Sequence, residues 1–213
     1  MTAYTPWTKD QMARMIAADI DEGQVVNIGI GMPEKVAHYL PKDKEIFLQS
    51  ENGIIGMGPP PPADTVDPDL INAGKQPVTL LEGGAFFDHS LSFAMMRGGH
   101  LDIAILGAFQ VSETGDIANW STGKPDAIPA VGGAMDLVVG AKSVFVMMDL
   151  LTKDGQSKLV KSCTYPLTGV ECVTRVYSDL GVFDVTPDGF KVRRMPDGMT
   201  RETLSELCGL KLG

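Results

Sequence analysis

Cysteine is scarce in this sequence, and the three present are badly spaced for chemistry. Cys163, Cys172 and Cys208 form no C-x-x-C pair and leave an odd thiol. A disulfide framework and a zinc site are both disfavoured, and three inert thiols in a reducing compartment are expected. Positive charge is also short. Eighteen Lys and Arg stand against 27 Asp and Glu, for a formal net charge of −9. A general nucleic-acid or anionic-membrane binder needs basic patches, so neither partner is expected. Long apolar runs are missing: no stretch approaches the ~20 residues that cross a bilayer. The start, MTAYTPWTKDQ, has charges and a proline where a signal peptide would have an apolar run. A soluble cytoplasmic protein is expected. Repeats, low-complexity tracts and linkers are absent too, so residues 1–213 are expected to form a single domain.

Several catalytic signatures are missing as well. His38, His89 and His100 fall in no ligand-spaced cluster such as H-E-x-x-H, so no metal is expected. No G-x-S-x-G elbow marks a serine nucleophile. No G-x-x-x-x-G-K-[ST] loop and no clean G-x-G-x-x-G opens a helix, which weighs against a nucleoside triphosphatase or a nicotinamide enzyme.

What is present is an ordinary globular composition, 44% hydrophobic and 21% charged. Thr8 and Gln11 have capping-box spacing, and Met12, Met15, Ile16 and Ile20 recur at helical period before Gly23. QVVNIGIG (24–31) reads as a buried strand. Pro33 suits the first turn of a short helix carrying Val36, Ala37 and Leu40. IFLQS (46–50) reads as a second strand. Helix, strand, helix, strand predicts an α/β protein with an open, largely parallel sheet flanked by helices. Farther along, VTLLEGG reads as a strand ending in glycines. Ser90 to Met96 reads as a helix, and LDIAILGAFQVS as a bent strand or two strands around Gly107. GGAMDLVVGA reads as a glycine loop opening a helix, followed by the strand SVFVMM. VFDV and FKVRRM form a hairpin about TPDG, and Thr200 to Leu207 a terminal helix.

Three apparent strands end in glycine: NIGIG, LEGG and ILGA. Ligands of open α/β sheets bind beyond the carboxyl ends of strands, where glycine lets backbone approach the ligand. Tight turning is the alternative for each. GGAM (132–135) opens a helix, where backbone N–H groups favour negative charge such as a phosphate or an oxyanion. A plain loop-to-helix turn is the alternative.

The stretch FLQSENGIIGMGPPPP (47–62) places Glu51 after a strand and before an Asn-Gly turn. From spacing alone the commoner reading is a solvated surface charge. Its neighbours weigh the other way, because Asn52-Gly53 can hold Glu51 at a sharp bend and the flanking apolar residues desolvate it. Such a carboxylate can act as general base or nucleophile.

SENGIIGMGP, DLINAGKQPVTLLEGGAFFDHSLSFAMMRGGHLDIAILGAFQVSETGDIANW, GGAMDLVVGAKSVFVMM and SKLVKSCTYPLTG together resemble the beta subunit of class I CoA-transferases. The resemblance runs from NIGIGMP to VFDVTPDG. Within the family, GGAFFDHSLSFAMMRGGH and AVGGAMDL are most similar to members acting on 3-oxoadipate, with acetoacetate as the sister acceptor. The resemblance implies that Glu51 attacks the thioester of succinyl-CoA and carries CoA as a glutamyl thioester. It assigns part of the oxyanion site to Gly132 and Gly133, and offers Asn52, Gly29 and Gly31 as lining residues. CoA enters as substrate, so no cofactor is expected. CoA phosphates call for cations, with Lys75, Lys124 or the partner chain as candidates, and Arg97 is a candidate for the acceptor's second carboxylate. The partner implied is an alpha subunit, in a heterotetramer of two alpha and two beta subunits. A CoA-thioester hydrolase and a non-catalytic CoA-binding module are the competing readings.

Overall fold

The computed structural model describes residues 4–123 and 131–213; Lys124 lies outside the described residues. The first helix, α1, spans Lys9–Ala18. Thr8 caps it as the spacing predicts. The Thr8 hydroxyl accepts from the Gln11 N–H, and the Gln11 side chain accepts from the Thr8 N–H, which satisfies two otherwise orphaned donors. The helix ends at Asp19 instead of continuing to Gly23. The Asp19 carboxylate is taken by Arg175 at 3.0 Å and by the Tyr177 hydroxyl at 2.8 Å. Tertiary contacts thus occupy its capping residue, and Gly23 (φ +80°) turns the chain into the first strand.

That strand, β1, spans Val25–Ile28. Pro33 sits in the first turn of a short helix as expected, and that helix, Met32–Tyr39, is of the 3-10 type. β2 (Phe47–Ser50) and β3 (Ile54–Met57) form a hairpin, and β4 (Leu80–Phe86) pairs antiparallel with β3. LEGG therefore does not end a strand: β4 runs through both glycines. The reason is a register shift between Ile55 and Met57, where a side chain on Gly56 would meet the Gly84 Cα at 2.8 Å. α2 (His89–Arg97) leads to β5 (Leu101–Leu106), then β6 (Gln110–Ser112) and β7 (Ile117–Ala118), so the chain does divide around Gly107. α3 (Ala134–Gly140) runs into β8 (Ala141–Met147). β9 (Leu159–Val160) and β10 (Val173–Tyr177) follow, then the hairpin of β11 (Val182–Thr186) and β12 (Gly189–Arg194), and α4 (Arg201–Cys208).

Nine strands form the main sheet in the order β12-β11-β10-β8-β5-β1-β2-β3-β4. Its five central members, β10-β8-β5-β1-β2, run parallel, and the outer pairs on each side are antiparallel. The parallel block meets the sequence expectation, and hairpin closure adds the rest. Both faces are buried, which is why these strands read as almost continuous apolar runs. Ile103, Ile105, Phe145 and Met147 pack with Met12 and Ile16 of α1 and with Ile20 just beyond it. Ala104, Leu106, Val144 and Val146 point to the opposite face, against Met96, Leu137 and Leu204 of the other helices. A small sheet, β7-β6-β9, covers part of that second face. Among the described residues no helix is long and apolar enough to cross a membrane.

Candidate active site

The carboxyl ends of β1, β2, β5 and β8 meet at one edge of the sheet. Ile28, Gly29, Ser50, Glu51, Leu106 and Met147 from these ends line a cleft of about 520 Å³. The chain reverses direction across the sheet here. It moves from β1 to β2 on one side and returns to β5 on the other, the switch-point arrangement that opens a crevice. Gly29 marks a close approach of backbone to backbone. Its N–H donates to the Ile105 carbonyl at 2.8 Å, and a Cβ there would stand 2.9 Å from that oxygen.

Glu51 sits at the tip of the β2–β3 hairpin. The Ser50 carbonyl accepts from the Gly53 N–H at 3.0 Å, closing a tight turn around it. Gly53 provides the left-handed residue (φ +113°), and a Cβ there would collide with the Phe87 carbonyl oxygen. The two neighbours of Glu51 hold the facing loop. The Ser50 hydroxyl accepts from the Ala73 N–H at 2.9 Å, and the Asn52 amide donates to the Ile71 carbonyl at 2.7 Å. With both flanks anchored, the Glu51 carboxyl is left to face the cleft.

Across from it is the loop that opens α3. A Cβ built on Gly133 would stand 3.5 Å from the Glu51 carboxyl carbon and 3.3 Å from the Phe93 ring. α3 starts without a capping side chain. Burial raises the Glu51 carboxyl above the ordinary glutamate value, since the charged form is the one that loses water. The carboxamide of Asn27 and the charge of His89 act in the opposite direction and are the smaller effects. Behind Glu51 lies a buried amide chain. Asn27 donates to the Gln49 side-chain oxygen at 2.7 Å, and Gln49 donates to the Ser92 hydroxyl at 2.9 Å. All three residues are buried. Asn27 Oδ1 is the one buried side-chain polar atom without a partner among the described residues.

The expected site residues divide. Glu51, Gly29, Gly132 and Gly133 line one cleft. Gly31 does not: it turns at φ +91° ahead of the 3-10 helix, and its N–H is taken by Glu34 at 3.1 Å. Asn52 faces away, toward Ile71. Lys75 is exposed in the turn just after the cleft-lining Gly74. Arg97 is paired with Asp136 between α2 and α3 and does not line the cleft. His38 and His100 are exposed outside the cleft, whereas His89 stacks on Phe93 at 4.6 Å. The sequence reading missed Asn27, Gln49, Phe109, Asn119 and Lys158. Asn27 carried a signal, a carboxamide inside an otherwise apolar strand. The others reach the cleft only through the fold. Lys158 is the one lysine or arginine lining the cleft among the described residues.

Among the described residues no three His, Cys, Asp or Glu side chains gather as a metal site. The thiols are unpaired, and burial pushes Cys163 and Cys172 up to about 11.

Comparison with known proteins agrees with this geometry. The profile of the coenzyme A transferase family matches residues 9–206. The chain belongs to the coenzyme A transferase family. It is 61% identical over 212 residues to the B-type subunit of 3-oxoadipate CoA-transferase from Pseudomonas putida, covering 100% of this chain and 99% of the relative. It is 59% identical over 210 residues to the protein of the same name from Acinetobacter baylyi, covering 99% and 97%. The fold also matches a solved acyl-CoA transferase of Escherichia coli with a TM-score of 0.71 at 19% identity. That alignment covers 97% of this chain but 43% of the longer one.

Proposed function

We propose that this chain is the B-type subunit of a transferase that moves CoA from succinyl-CoA to a 3-oxo acid, with 3-oxoadipate as acceptor and Glu51 as covalent carrier. The observation that carries the reading is Glu51: a desolvated carboxyl on a stiff hairpin tip, set against the glycines that open α3. The choice of acceptor is supported by the names of the two relatives at 59% and 61% identity.

A Glu51 carboxylate oxygen adds to the thioester carbon of succinyl-CoA. The C–S bond breaks, leaving a succinyl-glutamyl anhydride and CoA thiolate. The thiolate adds to the Glu51 carbonyl carbon and the anhydride C–O bond breaks, releasing succinate and leaving a glutamyl-CoA thioester. The acceptor carboxylate then repeats both steps in reverse order and departs as its CoA ester. Each addition generates an oxyanion that needs fixed donors. The backbone of Gly132 and Gly133 is the candidate here, and Gly29 allows close approach at the opposite wall. Desolvation makes the carboxylate a better nucleophile, and water must be kept from the anhydride. Binding of the distant CoA body can press the reacting carbon against Glu51.

CoA is a substrate in this reading, and no cofactor takes part. Its phosphates require more cations than Lys158 and Lys75, which favours an alpha-type partner completing the site in an assembly of two chains of each kind. Such an enzyme works in the cytoplasm.

The test is peptide mass spectrometry on the complex with its partner after incubation with succinyl-CoA alone. CoA attached to the peptide that holds Glu51 is expected. An unmodified peptide in a complex that binds the thioester would remove Glu51 as carrier. Release of free CoA into water without acceptor would point to a hydrolase.

A further inference from the structure

Asn27, Gln49 and Ser92 are polar side chains at positions that packing alone would fill with apolar ones. They are 1%, 2% and 0% exposed, and they come from three elements, β1, β2 and α2. Asn27 and Gln49 stand in register on neighbouring parallel strands. An apolar trio of the same shape would be about as stable, so the network calls for another explanation. Its place supplies one. Gln49 lies two residues before Glu51 on the strand that leads to it, and Phe93, next to Ser92, packs by Gly133 across from Glu51.

The hydrogen bonds of this chain have a direction. Asn27 Nδ2 donates to Gln49 Oε1 at 2.7 Å, and Gln49 Nε2 donates to Ser92 Oγ at 2.9 Å. The other contact of Asn27 Nδ2, to the Gln49 main-chain oxygen, is long at 3.3 Å, so one N–H is weakly used. The Asn27 carboxamide is also the hydrogen-bonding side chain that favours the ionised form of Glu51. Asn27 Oδ1 has no partner, so nothing on that side fixes the carboxamide. Its orientation is set by the Gln49 side-chain oxygen, and Ser92 leaves that oxygen to Asn27 by taking the Gln49 NH2. Without the Ser92 hydroxyl this NH2 is orphaned. Turning both carboxamides over would satisfy it, giving the Gln49 NH2 to Asn27 Oδ1 and setting that oxygen toward Glu51. An oxygen there favours the protonated carboxyl, which is not a nucleophile.

We propose that Gln49 and Ser92 are positioning residues for Glu51: they hold the Asn27 carboxamide with its N–H side toward the Glu51 carboxyl, so that the nucleophile is met by a donor on its buried side. The proposal deepens the transferase reading and rests on it for the reaction concerned. Ser92 does not line the cleft, and it acts through Gln49 and Asn27. Charged groups on the elements around Glu51 are Asp88 and His89 of α2, the Arg97–Asp136 pair, Glu82 of β4, Lys75, and Glu34, Asp149 and Lys158 along the cleft. Among the described residues His89 is the one whose charge acts on Glu51, and it lies outside the amide chain.

The test uses the complex formed by coexpression with the alpha-type partner and given succinyl-CoA alone. The rate at which Glu51 takes up CoA is followed by quenching and peptide mass across pH 4–8. Ser92→Ala and Gln49→Met are each expected to move the midpoint of this pH profile up by about one unit, which is about tenfold slower uptake well below the midpoint, and to keep the high-pH plateau. Ser92→Thr, which keeps the hydroxyl, is expected to restore the wild-type midpoint. Ser90→Ala, in the same turn of α2 but bonded to Asp88 instead, is expected to leave it unchanged. An unmoved midpoint in both Ser92→Ala and Gln49→Met, with only a lower plateau or melting temperature, overturns the proposal and assigns the chain to packing. A second readout does not need the reaction. At pH 7, Glu51→Gln is expected to raise the melting temperature of the complex more in the Ser92→Ala background than in wild type, because there the ionised carboxyl has lost its donor. Equal gains overturn the proposal. If wild type itself takes up no CoA, the transferase reading fails and the melts still decide on the amide chain.

Discussion

Gly133 stands against Glu51, with only the space of a methyl group between the start of α3 and the carboxyl carbon, 3.5 Å from where a Cβ would lie. This pair joins two distant parts of the chain into one reaction site. It also makes the absence of a side chain at residue 133 a requirement. Gly133→Val would press on both Glu51 and the Phe93 ring. Displacement of a reacting group by ~1 Å can cost about 10²-fold in rate. Transfer is expected to fall by about that factor in steady-state assays of the complex, with little change in melting temperature. An unaltered rate would separate Gly133 from the chemistry.

Glu51 itself is expected to lower stability at neutral pH. Burial raises its carboxyl, so the folded chain holds the proton more tightly than the unfolded one. The favourable contribution is complete below the unfolded value, about pH 4.3. It is lost as pH rises through the higher folded value, where the ionised group sits poorly hydrated. Glu51→Gln therefore should melt at a higher temperature than wild type at pH 7, by roughly 2–4 °C for each kcal/mol relieved. The difference should shrink as pH falls toward 4. Thermal melts across pH 4–8 read this directly, and a lower-melting variant at pH 7 contradicts it.

Gly53→Ala should be among the most damaging small substitutions. The residue has φ +113°, and an added Cβ would be 2.1 Å from the Phe87 carbonyl oxygen. Left-handed strain alone costs about 1–2 kcal/mol, and the backbone clash adds to it. A loss of at least ~3 kcal/mol in urea unfolding is expected, together with loss of transfer, because the same turn aims Glu51. Gly23→Ala, also at positive φ but with nothing within 4 Å, should cost only the strain.

Arg175 of β10 ties the end of α1 to β11. It contacts Asp19 at 3.0 Å and Asp184 at 2.5 Å, while the Tyr177 hydroxyl donates to Asp19. Arg175→Met leaves Asp19 and Asp184, both poorly exposed, with only the longer contacts to Arg194 at 3.7 Å and Arg193 at 3.4 Å. Breaking a fully buried pair costs about 3–5 kcal/mol; for this partly exposed network ~2–3 kcal/mol is expected. Adding Asp19→Asn and Asp184→Asn should recover more than half of the loss in a chemical-denaturation cycle. No recovery would assign the effect to lost packing over Phe145, 5.5 Å from the guanidinium.

Much of the fold was legible in the chain. Capping at Thr8, the apolar runs of β1, β2, β5 and β8, and the hairpin about TPDG all follow from local rules of period and turn chemistry. Those rules erred where a distant group intervened. α1 ended at Asp19, whose side chain is held by Arg175 and Tyr177, and not at Gly23. LEGG continued as a strand because β3 needed a bulged partner.

By itself the sequence determined the identity of the groups: a carboxyl beside an Asn-Gly turn, glycines at strand ends, and parallel strands buried on both faces. Local sequence carries such information because period, propensity and turn geometry act over a few residues. Tertiary structure alone decided which groups share a cleft. It brought Gly133 to Glu51, turned Asn52 and Gly31 away, removed Arg97 to an ion pair with Asp136, and introduced Lys158 and Asn119. Those outcomes depend on strand order and on which backbone donors and acceptors are already satisfied. Both are set by contacts across the whole sheet.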